Sequence, residues 1–281
     1  RVRRPPCVPR TIRGRESDAI SCLRFGGSTH ERGVPTVPDS SSRLAFGGQR
    51  DALRAQGKSF LFVNWGKASI GVLDFEGTVR TGVVEFGMVV TRGASIVETD
   101  TATCCPEAEL LPEDERAHGL REKDLADATS FRERLSLFSD LHASVDALGA
   151  HHAVVEENLL KAVWPYPPTS NDKGRLDWGP WVDTRRLYER LYPHLTDYGL
   201  GALVEQFQLG TALERDARRL CPPGRRKLHC ALYDALASAL LLTRLLDEPE
   251  VADASLAWLL DASAPGHKQR KALSQGDLFA N

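Results

Sequence analysis

Asp74 and Glu76 stand two residues apart in Ile70-Gly-Val-Leu-Asp-Phe-Glu-Gly-Thr78, a run with the alternation of a β-strand. Successive strand side chains point to opposite faces, so the two carboxylates share a face and continue the row begun by Ile70 and Val72. Paired carboxylates at the end of an apolar row repel each other unless something cationic sits between them. Hard oxygen ligands of this kind suit Mg²⁺ or Mn²⁺. Taken alone, the same pattern fits a strand running out into solvent.

Asp234 is a second unusual acid. It lies in Leu232-Tyr-Asp-Ala-Leu-Ala-Ser-Ala-Leu-Leu-Leu242, which is apolar almost all round and reads as a buried helix. Buried carboxylates survive mainly when paired or metal-bound. His229 falls five residues earlier, just before or at the helix start. A capped helix with an Asp–Arg contact in the core accounts for this pair equally well. In Ala150-His-His-Ala-Val-Val-Glu-Glu-Asn-Leu-Leu160, Glu157 and Lys161 have the i, i+4 order of a surface ion pair. Glu156 shares its stripe with Ala153 and Leu160, so Glu156 rather than Glu157 points inward.

Together these segments resemble the DEDDh (DnaQ-like) 3′→5′ exonuclease family, which includes the proofreading subunit of bacterial replicative polymerases, RNase T and oligoribonuclease. Asp74-Phe-Glu-Gly-Thr78 is similar to its first motif, Ala150-His-His-Ala-Val-Val-Glu156 to its second, and His229-Cys-Ala-Leu-Tyr-Asp-Ala235 to its third. Ala117-His-Gly-Leu120 and Trp181-Val-Asp-Thr184 resemble two further segments in the family's order. The likeness covers about residues 68–246. It departs at Glu156, where the family has Asp, at His152, where it has Asn, and at Gly77-Thr78, which replaces Thr-Thr-Gly.

The resemblance implies an RNase H-like α/β fold, a mixed five-stranded sheet flanked by helices. It also implies phosphodiester hydrolysis with two divalent ions, Mg²⁺ or Mn²⁺, releasing nucleoside 5′-monophosphates from a 3′ end. Asp74 would bridge both ions, Glu76 and Asp234 would hold the first, and Glu156 would orient water on the second. His229 would act as general base, a task that suits an imidazole near neutral pH. Gly77 and Thr78 would meet the terminal nucleotide, and His118 and Leu120 its base.

Arg218-Arg-Leu-Cys-Pro-Pro-Gly-Arg-Arg-Lys227 precedes His229, and Arg225, Arg226 and Lys227 are candidates to attract the nucleic-acid backbone. A solvated linker between helices is the competing reading. Trp164, Tyr166, Trp178 and Trp181 suit a loop covering a sheet edge better than a base-stacking platform. Asp183, just before a helix, is read as an N-cap. Near the C-terminus, Gln275-Gly-Asp-Leu-Phe279 resembles the peptide that docks bacterial replication and repair proteins on the sliding clamp. Gln275, Leu278 and Phe279 would make that contact, which favours DNA over RNA as substrate. Two alternatives remain: an RNA-trimming exonuclease, and a catalytically weak, clamp-tethered binding module.

The elements that must position these groups are legible as strands at Ile70–Gly77, Val83–Val90, Ser95–Thr101, Val145–Ala150 and Trp181–Thr184. Arg92-Gly93 makes a hairpin turn. Helices are expected at Ala153–Val163, Arg185–Tyr192, Leu200–Phe207, Leu228–Leu246 and Val251–Ala262, with a charge-rich helical stretch from Glu107 to Leu141. Residues 1–58 are rich in Arg, Pro, Gly and Ser and are expected to be disordered or spurious. Residues 59–262 form the exonuclease domain, and 263–281 a flexible tail. The whole chain has a net charge of −2, but residues 1–58 carry 12 Lys+Arg against 5 Asp+Glu, leaving the rest acidic at −9. Any nucleic-acid contact must therefore be local. No apolar run reaches the ~18 residues of a membrane span. The six cysteines form no C-x-x-C pair. Without a short apolar segment after the basic start, a cytoplasmic location is expected.

Overall fold

In β1 (Ser69–Thr78), Ile70 and Val72 bury one face while Leu73 and Phe75 bury the other, so this strand has to lie inside a two-sided sheet. The computed structural model describes residues 63–168 and 176–265. β2 (Gly82–Arg92) and β3 (Ser95–Thr103) continue from β1 as an antiparallel meander. α1 (Pro112–His118), α2 (Glu122–Leu125) and α3 (Leu135–Ser144) follow, and then β4 (Ala147–Ala150) returns parallel to β1. α4 (Ala153–Val163) leads to β5 (Trp181–Asp183), parallel to β4. The strand order is β3-β2-β1-β4-β5, the mixed five-stranded sheet expected.

The remaining helices are α5 (Thr184–Leu191), α6 (Leu200–Gln206), α7 (Gly210–Leu220), α8 (Ala231–Arg244), α9 (Pro249–Ala252) and α10 (Leu256–Ser263). On one sheet face Ile70, Val72 and Val89 pack under α8, with α5, α6, α7 and α10 in the same core. On the other face Leu73, Phe75, Phe86 and Met88 pack against α3 and α4. There Phe75 meets Phe138 edge-on at 5.7 Å, a favoured aromatic geometry.

Several boundaries differ from expectation for local reasons. α8 begins at Ala231 rather than Leu228, because Cys230 is extended and His229 is left-handed with φ 61°. Arg218, Arg219 and Leu220 belong to α7, a helix not expected at all. The anticipated helix Val251–Ala262 is broken. Ser255 pairs with Asn64 as an isolated bridge and caps α10 by accepting from the N–H of Trp258. The stretch after Glu107 is interrupted by Gly119, whose φ of 71° closes α1. Trp164 and Trp178 are buried on the α3/α4 side, joined by the Trp178 Nε1–H donating to Trp164 O at 2.7 Å. No helix among the described residues is long and apolar enough to cross a membrane. The N-terminal segment 1–58 and the peptide holding Gln275, Leu278 and Phe279 lie outside the described residues.

Candidate active site

Because antiparallel partners share a face, the register of β1 and β2 sets Asp74 opposite Gly87 and Glu76 opposite Glu85. Gly87 is bare for a reason: a Cβ there would lie 2.3 Å from the carbonyl of Ala231 and from the N of Leu232. The first turn of α8 therefore rests directly on β2. That contact delivers Asp234, in the same first turn, to the end of the Asp74 and Glu76 row.

His229 reaches the cluster from the loop before α8. Its N–H donates to Asp234 Oδ2 at 2.9 Å, and its left-handed backbone turns the exposed imidazole back over the acids. One ligand atom each of Glu76, His229 and Asp234 lie within 4.8 Å of one another. The other Asp234 oxygen, Oδ1, is buried and has no hydrogen-bond partner among the described residues.

Glu156 enters from the β4 side. β4 pairs with β1 only from Ile70 to Val72, so the N–H of Phe75 lies past the end of that ladder. It donates instead to Glu156 Oε2 at 2.9 Å. Glu156 is buried in the first turn of α4, whereas Glu157 pairs with Lys161 at 2.6 Å on the surface. Asp183 fixes the start of this helix, accepting from the N–H groups of His152 at 3.2 Å and Ala153 at 3.1 Å. The same carboxylate caps α5 through the N–H of Arg186 at 3.2 Å, as the sequence suggested.

All four carboxyls are raised, each chiefly by burial. Burial, then the charges of Glu156, Asp234 and Glu76, holds the Asp74 carboxyl well above the usual range. Burial and the charge of Asp234 push Glu76 up to about 8. Burial chiefly, with Glu76 and Asp234 adding, pushes Glu156 up to about 8 against the opposing Phe75 hydrogen bond. Asp234 rises to about 7, again mainly through burial. Mutually repelling carboxylates, Glu156 and Asp234 buried and Asp74 and Glu76 half-buried, with one orphaned oxygen among them, are the donor set a hard divalent cation fits.

The remaining candidates divide. Gly77 shapes the β1–β2 bulge at φ 131°, where a Cβ would strike Gly82 O at 2.2 Å, so no other residue fits. The Thr78 hydroxyl bonds that of Thr81 at 2.9 Å and closes the hairpin. His118 and Leu120 are both buried. Leu120 packs with Val84, Leu110 and Leu125, and its N–H donates to His118 Nδ1 at 3.1 Å, so the pair serves packing rather than an open surface.

Arg225 departs from the reading that gave it to the nucleic-acid backbone. Its Nε donates to Glu85 Oε1 at 2.9 Å, its Nη2 bonds Glu85 Oε2, and its Nη1 donates to His118 O at 2.7 Å. Arg226 and Lys227 are exposed beside it, although Arg226 Nε donates to Cys221 O at 3.2 Å. Sequence reading missed Glu85 and Gly87. The available signal was that both fall on the Asp74 face once β1 and β2 are paired as a hairpin.

No family model matches the chain, and no curated protein does. Solved structures do. Escherichia coli exonuclease I in complex with a dT13 oligonucleotide superimposes with a TM-score of 0.51 at 13% identity, over 66% of this chain and 43% of that one. The fold is that of RNase H-like exonucleases. Exonuclease X in complex with 5′ overhanging duplex DNA aligns at TM-score 0.47 and 22% identity, over 68% of this chain and 99% of that one. The nuclease domain of 3′hExo, a DEDDh family member bound to rAMP, aligns at 0.48 and 19%, over 64% and 92%. The chain thus spans less than half the length of exonuclease I.

Proposed function

We propose that this chain is a divalent-metal-dependent 3′→5′ exonuclease of the DEDDh type, acting on DNA in a cytoplasmic proofreading or repair role. One observation supports the reading: β1 sets Asp74 and Glu76 on one face, the N–H of Phe75 between them bonds Glu156 from α4, and ligand atoms of Glu76, His229 and Asp234 lie within 4.8 Å of one another.

Asp74, Glu76, Glu156 and Asp234 would hold Mg²⁺ or Mn²⁺, two ions in all. When bound, such ions neutralise charge on the scissile phosphate and acidify water. The chain's own residues do the rest. His229, exposed above Glu76 and Asp234, takes the proton of the attacking water and returns it to solvent. Asp234 orients that loop by accepting the His229 N–H. Arg226 and Lys227 attract the phosphodiester backbone toward an otherwise acidic surface, and Gly77 and Thr78 line the approach to the 3′ terminus. DNA is favoured over RNA because Gln275-Gly-Asp-Leu-Phe279 resembles a sliding-clamp peptide. A resemblance to the polymerase proofreading subunit points the same way.

The test incubates the full chain with matched 5′-labelled DNA and RNA oligonucleotides in Mn²⁺, beside Asp74→Ala and Asp234→Ala. The expected result is stepwise shortening of DNA from the 3′ end by wild type only. Preferential shortening of RNA would replace the proofreading reading with an RNA-trimming one. No mononucleotide release from either would leave a binding module. Loss of clamp co-elution on deleting Gln275–Phe279, with free-oligonucleotide hydrolysis intact, is the expected result for the tail.

A further inference from the structure

Glu85 is a buried carboxylate on the catalytic face that the proposed chemistry does not use. It stands opposite Glu76 in the β1–β2 ladder, yet its hydrogen bonds run away from the acidic pocket. Its Oε2 accepts from the N–H of Ala231 at 3.0 Å, one of the donors a helix leaves unsatisfied in its first turn. Both Glu85 oxygens also receive the guanidinium fork of Arg225, which is mostly buried. The rest of that guanidinium is occupied too, by His118 O at 2.7 Å and, at 3.4 Å, by the carbonyl of His229 itself.

Arg225 and Ala231 are the two ends of the segment that carries His229. One strand residue therefore pins both ends, and the Arg225 bond to His118 O ties the same segment to the last residue of α1. Between the pins His229 holds φ 61°, a conformation that costs a residue with a Cβ and persists only where the surroundings enforce it. The N–H of His229 is then taken up by Asp234 Oδ2.

We propose that Glu85 and Arg225 form a positioning pair for this reaction. They clamp the 225–231 segment so that His229 and Asp234 face the acidic pocket, and Arg225 is not a contact to the substrate phosphate. A fork is needed for this, because a lysine's compact ammonium cannot hold both Glu85 oxygens side by side and also span the carbonyls of His118 and His229. The kinetic part rests on the exonuclease reading above. The structural part does not.

The experiment compares wild type, Glu85→Gln, Arg225→Ala and Arg225→Lys by steady-state hydrolysis and by amide hydrogen exchange at His229, Ala231 and the β1 positions Val72 and Leu73. For Glu85→Gln and Arg225→Ala we expect kcat to fall about 10²-fold, the scale of an ångström-size misplacement, with KM nearly unchanged. Exchange should quicken at His229 and Ala231 while Val72 and Leu73 stay protected. Sub-denaturing guanidinium ion should restore rate and protection in Arg225→Ala, and Arg225→Lys should remain impaired. A rise in KM that steepens with salt, at constant kcat, would mark Arg225 as a phosphate contact and overturn the proposal. Loss of protection at Val72 and Leu73 alongside Ala231 would also overturn it, since the pair would then be core support alone. If wild type hydrolyses nothing, the exonuclease reading fails, and the exchange pattern and its rescue by guanidinium still decide the clamp.

Discussion

Gly87 on β2 stands across the ladder from Asp74 on β1, and the space its missing side chain leaves is filled by the backbone of Ala231. The site is thus assembled by a close approach of helix to strand. Gly87→Ala puts a methyl 2.3 Å from that backbone, which has no flexible end to move aside. Expected is a loss of about 1–3 kcal/mol in chemical denaturation, together with loss of hydrolysis as Asp234 is pushed off the Asp74 row. A variant as stable and active as wild type would remove the close approach from the account.

Asp234→Asn keeps the oxygen that accepts the His229 N–H but removes the charge that raises Asp74, Glu76 and Glu156. At pH 8 without divalent ions the variant should be more stable than wild type by about 1–3 kcal/mol, because a buried repulsion is gone. Metal-dependent hydrolysis should fall at least ~10³-fold, about 4 kcal/mol of transition-state stabilisation. Stability and activity moving in opposite directions is the signature to look for by calorimetry and assay.

Proton linkage offers an activity-free check. Glu76 and Glu156 sit at about 8 and Asp234 at about 7 in the folded chain, against ~4 for an unfolded carboxyl. The folded state keeps protons that the unfolded state has lost. Stability from these groups is therefore full below pH ~4 and disappears as pH rises through 7 to 8. With chelator present, Tm should drop from pH 5 to pH 9. Added Mn²⁺ should raise Tm much more at pH 8 than at pH 5, because ions replace the protons. An increment independent of pH is incompatible with a shared acidic pocket.

His229→Asn separates the imidazole from the backbone it occupies. Asn tolerates the left-handed region better than most residues, so φ 61° is kept at little cost. Tm and Mn²⁺ affinity should stay close to wild type, and kcat should fall about 10²–10⁴-fold, the usual size of a general-base contribution. Retained kcat would take the base role away from His229.

Much of this site was readable because local rules suffice for it. Alternation puts Asp74 and Glu76 on one face, and the pairing of Glu157 with Lys161 leaves Glu156 as the inward acid. Asp183 as a cap follows from its place before α5. What stayed hidden depends on partners distant in the chain. Glu85 looks like any strand acid until Arg225, 140 residues on, is seen against it, and that contact takes up the guanidinium that the sequence offers to the nucleic-acid backbone. Gly87 is bare on account of a helix that begins at Ala231. α7 was overlooked because its inward side, Leu213, Asp216 and Ala217, includes a buried acid, and Arg215 and Arg219 at its side disguise the stripe. The break before α10 is set by Asn64, nearly two hundred residues upstream.

Asp183 serves two helices at once, and one of them presents Glu156 to the pocket. A mutational scan scored only by turnover would rank this aspartate beside the acids proposed to hold metal. Its contribution is mechanical: loosening one fastener on the quiet edge of the sheet lets a reacting group at the centre drift.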